Sequence, residues 1–357
     1  MKILIVRLGA LGDIVHTIPA AAALRAARPD ARIDWIVDAK HRELADLVTV
    51  VDRVLALEGP TPRAWVAAVR QLRTAGYDAA LDFQGLMKSA VLARASGARR
   101  VAGFSIWHLR EKTARPFYSE TDNAVSGEEH VLRKNLSLLR VLGIEATSVQ
   151  FPLERTSSST VATVRGAVGP GDFALINPGA AWPNKRWPAD RFGELAAFLR
   201  EICGMRSVVL WGPGEQELAR GVVSASSGAA IVAPPTRLSD ILELAREASL
   251  MVSGDTGPLH LAAAVQTPIV AIMGPSNPHR NGPWAADDVT VSRFESCGCH
   301  YERRCHQPTW CLADVSVSEV SAAVQRRLGT RVGADSRGSI IGDQPRRRAD
   351  APGADGK

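Results

Sequence analysis

The sequence alternates short apolar segments with glycine-containing loops and helical patterns, and this alternation constrains the fold more than any other feature. The first apolar segment, Lys2 to Arg7, is an uninterrupted run typical of a strand buried on both faces of a parallel sheet. A glycine loop and a helical pattern from Ile14 to Ala27 follow it, and the order of strand, loop and helix then repeats. The pattern predicts an α/β protein with doubly wound parallel sheets.

The alternation occurs in two rounds, the second beginning near Phe173. Between them, residues 154–171 lose strong apolar patterning and gain Ser, Gly and Pro. The length of 357 residues also exceeds the ~100–200 residues of one domain. We therefore predict Rossmann-like domains at 1–155 and 170–328, facing each other across a cleft at the carboxyl ends of their strands. Residues 331–357 lack apolar periodicity and are predicted to form a disordered tail.

Composition excludes several classes of protein. Hydrophobic residues make up 46% and charged residues 22% of the chain, which is typical of globular proteins. No run approaches the ~18 apolar residues of a membrane-spanning helix, and Arg7 and Asp13 interrupt what would be the apolar region of a signal peptide. We expect a cytoplasmic protein without a transmembrane segment, and association with a membrane surface remains open.

Positive charge is concentrated in one segment. The net charge of +6 is modest, but the segment from Lys88 to Arg115 carries a single acid, Glu111. Its seven basic residues are Lys88, Arg94, Arg99, Arg100, Arg110, Lys112 and Arg115. This excess predicts a surface for an anionic substrate.

The loop after the first strand is the first candidate site. Gly9 and Gly12 allow a sharp turn and a close backbone approach to a ligand, and Asp13 lies at the start of the helix. By spacing alone, Asp13 fits a helix cap as well as a reactive carboxylate. The loop has neither GxGxxG nor GK[ST], which argues against dinucleotide-binding and P-loop proteins.

Two loops of the second round carry a charged residue at the end of a strand. In INPGAAWPNKRWP, Lys185 follows Pro178 and Gly179 and is placed to meet a phosphate, unless it is simply a solvated lysine. In WGPGEQE, Glu215 is placed to bind ribose hydroxyls or to interact favourably with a helix dipole.

The motif MVSGDTGPLHLAAA is the strongest of these signals. Asp255, Thr256 and Gly257 lie between a buried strand and a helix beginning near Pro258, so that backbone amides and the helix dipole would favour a diphosphate there. His260 lies one turn into the helix, facing the loop. A capping aspartate followed by an N-terminal proline is the structural alternative.

Four cysteines lie close together, at Cys297, Cys299, Cys305 and Cys311. Their crowding suits a reduced compartment, and with the neighbouring histidines they could hold a structural zinc ion or an iron–sulfur cluster. Their spacing is not that of paired CxxC knuckles. Reduced or locally bridged thiols are the alternative interpretation.

Taken in order, these motifs resemble those of glycosyltransferase family 9, the heptosyltransferases, over nearly the whole chain up to about Arg327. RLGALGDIVHTIPAAAALR resembles the N-terminal signature of the family, and GDIVHTIPA is closest to heptosyltransferase I. FQGLMKSA and REKTARPFY support the same subgroup, and PNKRWP and SGDTGPLHLAAA resemble the donor-binding motifs.

The resemblance implies a GT-B fold, with an acceptor-binding first domain and a nucleotide-sugar-binding second domain. It implies inverting, metal-independent transfer of heptose from ADP-L-glycero-D-manno-heptose to the Kdo region of lipid A. The partners would be the ADP-heptose donor and a Kdo-lipid A acceptor at the cytoplasmic face of the inner membrane. No cofactor and no nucleic acid are expected.

Roles transfer from the family to matching positions only. Asp13 resembles the general base and Lys185 the residue that contacts donor phosphate and sugar. The remaining donor-binding positions are Gly12, Gly179, Glu215, Leu238, Asp255, Thr256, Gly257 and His260. The acceptor-binding positions are Lys88, Arg110 and Arg115. One departure lies at Ala180 and Ala181, where some heptosyltransferases I have threonines.

Two other functions compete with this one. The first is a family 9 transferase that uses a different nucleotide sugar or a later heptose acceptor. The second is a non-catalytic nucleotide-sugar-binding protein, against which the presence of both Asp13 and Lys185 argues. A nucleotide-sugar epimerase of the same fold would not need the basic segment.

Overall fold

The computed structural model describes residues 1–122 and 129–335, with side chains described up to residue 329. Over these residues the chain forms two six-stranded parallel sheets. In the first, the spatial order is β3-β2-β1-β4-β5-β6. Its strands are β1 Lys2–Val6, β2 Arg32–Asp38, β3 Arg53–Leu57, β4 Ala79–Asp82, β5 Arg100–Phe104 and β6 Glu120–Asp122.

The second sheet has the order β12-β11-β10-β7-β8-β9. Its strands are β7 Phe173–Asn177, β8 Arg206–Val209, β9 Ala230–Val232, β10 Leu250–Gly254, β11 Ile269–Met273 and β12 Val289–Ser292. Numbered within its own half, this sheet repeats the order of the first, which is the order of doubly wound dinucleotide-binding folds. In such sheets ligands bind where the strand order reverses. The reversal lies between β1 and β4 in the first sheet, and between β7 and β10 in the second.

Helices connect the strands. In the first half they are α1 Leu11–Val15, α2 Ile18–Ala27, α3 Arg42–Asp46, α4 Pro62–Ala75, α5 Met87–Ala95 and α6 Val131–Ser137. In the second they are α7 Ser159–Val168, α8 Ala189–Cys203, α9 Gln216–Ala225, α10 Leu238–Glu247, α11 Gly257–Ala264, α12 Pro278–Asn281 and α13 Val317–Asp335. Among the residues described, no helix has both the length and the apolar character needed to cross a bilayer.

The inner strands are buried because helices cover both faces of each sheet. Every residue of β7, β10 and β11 is buried, in keeping with their continuous apolar sequences. In the second core, the Trp187 and Phe192 rings pack edge to face with centroids 4.8 Å apart. These cores hold the strand ends, and therefore the loops that follow them, in fixed positions.

The structure differs from the predicted elements in two places. The single helix predicted from Ile14 to Ala27 is divided into α1 and α2, because Pro19 occupies the first turn of α2 and cannot donate a backbone hydrogen bond. The segment predicted as the join contains α7, which Ser158 caps by accepting the Val161 N–H. Of the predicted tail, residues 331–335 belong to α13, and 336–357 lie outside the described residues.

Candidate active site

Asp13 lies in the first turn of α1, at the carboxyl end of β1. Its Oδ1 atom is 2.7 Å from Arg7 Nη2, and its Oδ2 atom accepts a 3.2 Å hydrogen bond from the Ala10 N–H. Arg7 is buried and donates to the Phe83 carbonyl, so that the pair is tied to the end of β4. The carboxylate therefore makes the local bond of a helix cap while its side chain stays one-third exposed.

Lys185, Asp255 and His260 form a chain of contacts at the reversal point of the second sheet. Lys185 Nζ lies 2.6 Å from Asp255 Oδ2 and 4.5 Å from the centre of the Trp182 ring. The other carboxylate oxygen, Oδ1, lies 3.1 Å from His260 Nε2. Burial alone would raise the pKa of Asp255, but the hydrogen bond from His260 and the charge of Lys185 hold this pKa far below its ordinary value. Asp255 is therefore a carboxylate that orients one cation and one imidazole.

Asn177 joins two of the predicted donor-binding loops. Its Nδ2 atom lies 3.1 Å from the Gly179 carbonyl oxygen and 3.0 Å from Thr256 Oγ1. It also lies 3.1 Å from Ser253 Oγ. Thr256 is the N-cap residue of α11, so this side chain fixes the start of the helix whose amides were predicted to bind a diphosphate. Asn177 was not among the predicted site residues, although its place at the end of a buried strand before a glycine loop was a usable signal.

Glu215 lies against the loop that carries Lys185. Its Oε2 atom accepts the Gly212 N–H at 3.1 Å, and its Oε1 atom is 3.5 Å from Arg186 Nη2. A Cβ atom on Gly179 would lie 2.1 Å from Glu215 Oε2, so this approach requires glycine at position 179. Leu238 begins α10 after β9, at the same edge of the sheet. The structure thus brings Gly179 and Glu215 together and places Leu238 two strands away from β7.

The two halves of the chain touch where their glycine loops meet. A Cβ atom on Gly12 would lie 2.5 Å from His260 Cδ2, and one on Gly257 would lie 2.4 Å from Leu11 Cδ2. The loop of Asp13 is therefore in direct contact with α11, which follows Asp255. Asp13 thus belongs to the half of the chain that contacts α11, and Lys185 belongs to the other half, where it pairs with Asp255.

A cluster of imidazole rings lies behind this contact. The His16 ring centroid is 4.3 Å from that of His260 and 5.9 Å from that of His130. Burial, reinforced by the neighbouring imidazoles, lowers the pKa of His16 well below its ordinary value. His130 Nδ1 accepts the Leu132 N–H, so its Nε2–H donates to the Gly282 carbonyl. Burial also lowers the pKa of His130. Of these three histidines, only His260 was among the predicted site residues.

The predicted acceptor-binding cations lie on two segments that Asp82 holds together. This buried carboxylate accepts hydrogen bonds from Ser89 Oγ at 2.8 Å and Tyr118 Oη at 2.7 Å. Ser89 belongs to α5, as Lys88 does, and Tyr118 follows the turn that contains Arg115. Lys88 and Arg110 are exposed, whereas Arg115 is partly buried and donates to the Tyr118 carbonyl at 3.0 Å. Asp82 thus holds together the two segments that carry these cations, although its own side chain is buried.

Lys134 is a cation near Asp13 that the sequence analysis missed. It lies on α6, its Nζ donates to the His108 carbonyl at 2.7 Å, and it is 4.5 Å from the centre of the Phe104 ring. Burial, followed by the charges of Arg280 and Arg7, lowers the pKa of Lys134 to about 8, while Asp13 acts in the opposite direction. Its charge therefore changes close to neutral pH.

The structure brings the four cysteines of residues 297–311 close together. Cys299 Sγ and Cys305 Sγ lie 3.4 Å apart, and Cys297 Sγ accepts the Cys299 N–H. Within residues 1–122 and 129–335, no three or more His, Cys, Asp or Glu side chains are arranged to hold a metal ion. Cys297 is also hydrogen-bonded to Cys311, so the four thiols meet in two pairs that lie close to each other. A structural metal ion and the alternative of reduced thiols both stay predictions.

The segment that carries these cysteines is hydrogen-bonded to the loop that contains Lys185. Asn184 Nδ2 donates to the Glu302 carbonyl at 3.0 Å, and Trp310 Nε1 donates to the Arg186 carbonyl at 2.9 Å. These bonds flank Lys185 on both sides, so the segment helps to position the lysine.

The fold and the cleft define the class of protein. Two doubly wound sheets with facing loop clusters form the GT-B fold of glycosyltransferases, as predicted. A model of glycosyltransferase family 9 (heptosyltransferase) matches residues 65–311. The chain belongs to this family, and the predicted family and enzyme class are confirmed.

Curated relatives and solved structures agree with this assignment. The lipopolysaccharide heptosyltransferase 1 of Pseudomonas aeruginosa is 28% identical over 324 residues, covering 87% of this chain and 89% of the relative. The heptosyltransferase 1 of Escherichia coli K12 is 27% identical over 302 residues, covering 81% and 92%. A family 9 structure from Veillonella parvula has a TM-score of 0.77 at 23% identity, with 92% and 97% coverage. E. coli heptosyltransferase WaaC with ADP has a TM-score of 0.72 at 24% identity, with 92% and 98% coverage.

Proposed function

We propose that the protein transfers heptose from ADP-L-glycero-D-manno-heptose to the Kdo-lipid A inner core of lipopolysaccharide. The relatives named as heptosyltransferase 1 support the reaction, and WaaC structures with ADP and with ADP-2-deoxy-2-fluoro heptose support the donor. The observation that carries the proposal is the contact between the Asp13 loop and α11, the helix that follows Asp255 of the Lys185–Asp255 pair.

In the second domain, the donor diphosphate would occupy the start of α11. The backbone amides around Asp255 to Gly257 and the Lys185 ammonium supply positive charge there, and Glu215 would accept hydrogen bonds from the ribose. As the bond between the anomeric carbon and the phosphate oxygen breaks, the leaving ADP gains negative charge. Lys185 and the amides stabilise that charge as it develops.

The acceptor hydroxyl would attack from the first domain. Its oxygen forms a bond to the anomeric carbon on the face opposite the departing phosphate, and Asp13 takes the hydroxyl proton. Because attack and departure occur on opposite faces, the anomeric configuration inverts. Arg7 holds the Asp13 carboxylate in the orientation needed for this transfer.

We expect activity to persist in EDTA, because Lys185 and the α11 amides supply the charge that a divalent ion supplies in other transferases. The measurement is ADP release after the enzyme and both substrates have been freed of metal. A strict requirement for added Mg²⁺ would contradict the metal-independent mechanism.

We expect acceptor binding to weaken as the pH rises through about 8, where Lys134 loses its charge. The pKa of this lysine is lowered, so the ammonium is present below that value and absent above it. Lys134→Arg keeps its charge at all accessible pH values and should hold the acceptor KM constant to higher pH. The pH profiles of acceptor KM for the two enzymes provide the test, and identical profiles would remove Lys134 from the acceptor site.

A family 9 transferase with a different sugar or a later heptose acceptor is the second candidate. It is favoured by Ala180 and Ala181, which offer no hydroxyl groups to the donor beside Lys185. Turnover measured with a panel of nucleotide sugars and with acceptors of increasing core length separates the two functions. A nucleotide-sugar-binding protein without activity would bind donor and release no ADP with any acceptor.

We also propose that the enzyme works in the cytoplasm, at the inner-membrane surface, where a lipid-linked acceptor is held. Activity recovered with the membrane fraction of gently lysed cells would support this location.

A further inference from the structure

Exposed apolar side chains are concentrated beside the acceptor-binding residues. Trp107 is 81% exposed, which is the largest value among the large hydrophobic residues of the described chain. Ile106 is 39% and Met87 is 37% exposed. Isolated exposed hydrophobic residues need no explanation, but neighbouring ones that include an indole indicate an interaction surface.

These residues are neighbours because the loop after β5 packs along the start of α5. The Met87 N–H donates to Glu111 Oε2 at 2.7 Å, and the Glu111 N–H donates to the Gly85 carbonyl at 3.2 Å. Leu109 is buried and packs against Gly85, which anchors the loop to the segment before α5. The exposed residues between these attachment points are therefore displayed by a fixed backbone.

The surroundings of Trp107 are positively charged. Lys112 Nζ lies 5.9 Å from the centre of the Trp107 ring, and Lys88 and Arg110 are exposed nearby in the chain. The single acid of the segment, Glu111, is already bonded to the Met87 N–H at the start of α5. We call Met87, Ile106, Trp107 and Lys112 the docking patch.

We propose that the docking patch binds the surface of a bilayer that contains anionic phospholipid. Indole rings favour the boundary between headgroups and acyl chains, while lysine and arginine are attracted to anionic headgroups. The patch follows the carboxyl ends of β4 and β5, the edge that borders the cleft. Docking there would bring the cleft to the membrane in which a lipid-linked acceptor lies. The purpose of this docking rests on the proposed function, because it is the lipid-linked acceptor that the cleft would approach.

The chemistry of the patch favours a bilayer over a second copy of the chain. Like charges would face each other if two patches met, whereas an anionic surface complements them. One indole and two partly exposed aliphatic side chains offer roughly a few hundred Å², well below the ~800 Å² per partner of a stable protein interface.

The test measures binding of the full-length protein to vesicles without any acceptor. Wild type should co-sediment with vesicles of phosphatidylglycerol and phosphatidylcholine and not with phosphatidylcholine alone. Trp107→Ala and Lys112→Glu should each weaken binding to the anionic vesicles by about tenfold. Ile202→Ala is the matched control, because Ile202 is 58% exposed in the second domain and lies outside the patch. Equal binding by wild type and Trp107→Ala would overturn the proposal.

Two kinetic arms separate docking from acceptor recognition. With a de-acylated, soluble acceptor, Trp107→Ala should keep the wild-type kcat and KM. With lipid-linked acceptor in anionic vesicles, its apparent KM should rise by about tenfold. A raised KM for the soluble acceptor would mean that Trp107 contacts the acceptor sugars, which overturns docking as its role. A wild-type dimer that dissociates in Trp107→Ala would assign the patch to self-association and would also overturn it.

The vesicle arm does not depend on heptose transfer. Binding to anionic vesicles without turnover on any acceptor would refute the proposed function and retain the docking patch. Turnover of the soluble acceptor without vesicle binding would refute the patch and retain the function.

Discussion

Replacing Asp13 with alanine is expected to lower turnover by ~10²-fold or more, the effect of losing a general base. The acceptor hydroxyl then has no group to take its proton as the new bond forms. Donor affinity should change little, because Lys185, Glu215 and the start of α11 lie in the other domain. Initial rates and calorimetric titration with a non-hydrolysable donor analogue measure the two quantities separately.

Asp13→Asn is the matched variant for this experiment. Asparagine keeps an oxygen that can accept the Ala10 N–H, so the start of α1 is preserved, but it cannot take a proton. Both variants should therefore lose turnover, while the asparagine variant, which keeps the helix cap but loses the ion pair with Arg7, should be more stable to heat than the alanine variant. Wild-type rates in Asp13→Asn would leave Asp13 as a helix cap only.

Removing Arg110 and Arg115 together is expected to raise the acceptor KM by roughly 10²-fold or more, since each charge-assisted contact contributes about 1.5–3 kcal/mol. The donor KM should stay nearly constant. Added salt should weaken acceptor binding by wild type in the same direction. A de-acylated acceptor is used, so that membrane attraction does not contribute to either constant.

Arg99→Ala is the control for charge alone. Arg99 belongs to the same basic segment, but it precedes β5, at the end of the sheet away from the cleft, and pairs with Asp78 at 3.3 Å. Its removal should leave both constants unchanged. An unchanged acceptor KM in the double variant would refute the acceptor site and leave the donor site untouched.

The sequence predicted those strands and helices whose own residues show a clear pattern of apolar side chains. The strand predicted from Lys2 to Arg7 is found as β1, Lys2–Val6, because a strand covered on both faces needs an uninterrupted apolar run. The edge strand β6 was missed, since its sequence Glu-Thr-Asp has no such run and its strand conformation depends on pairing with β5. The helix α7 was missed because Ser, Thr and Gly surround its apolar positions.

The same limit explains which site residues could be predicted. Asp13, Lys185 and Asp255 each lie in the loop or first helical turn that follows a buried strand, so a local motif marks them. Lys134 and His130 belong to the region of α6, and the strand that precedes it in the chain, β6, has no apolar run. They reach the site because α6 packs against α2, and Asn135 Nδ2 donates at 2.8 Å to the carbonyl of His16, which lies between α1 and α2. Such long-range packing leaves no mark in a short stretch of sequence.

The glycine contacts between the two domains determine where the substrate range of this enzyme can change. At Gly12 and Gly257 even one added carbon atom would overlap a side chain of the opposite domain. Substitution at these two positions therefore cannot enlarge the cleft for a bigger sugar or add a contact to the substrate. Ala181, which is exposed, and the exposed loop around Arg110 face no such limit. Mutagenesis aimed at a different donor or acceptor should therefore vary the residues of these two loops and keep Gly12 and Gly257 unchanged.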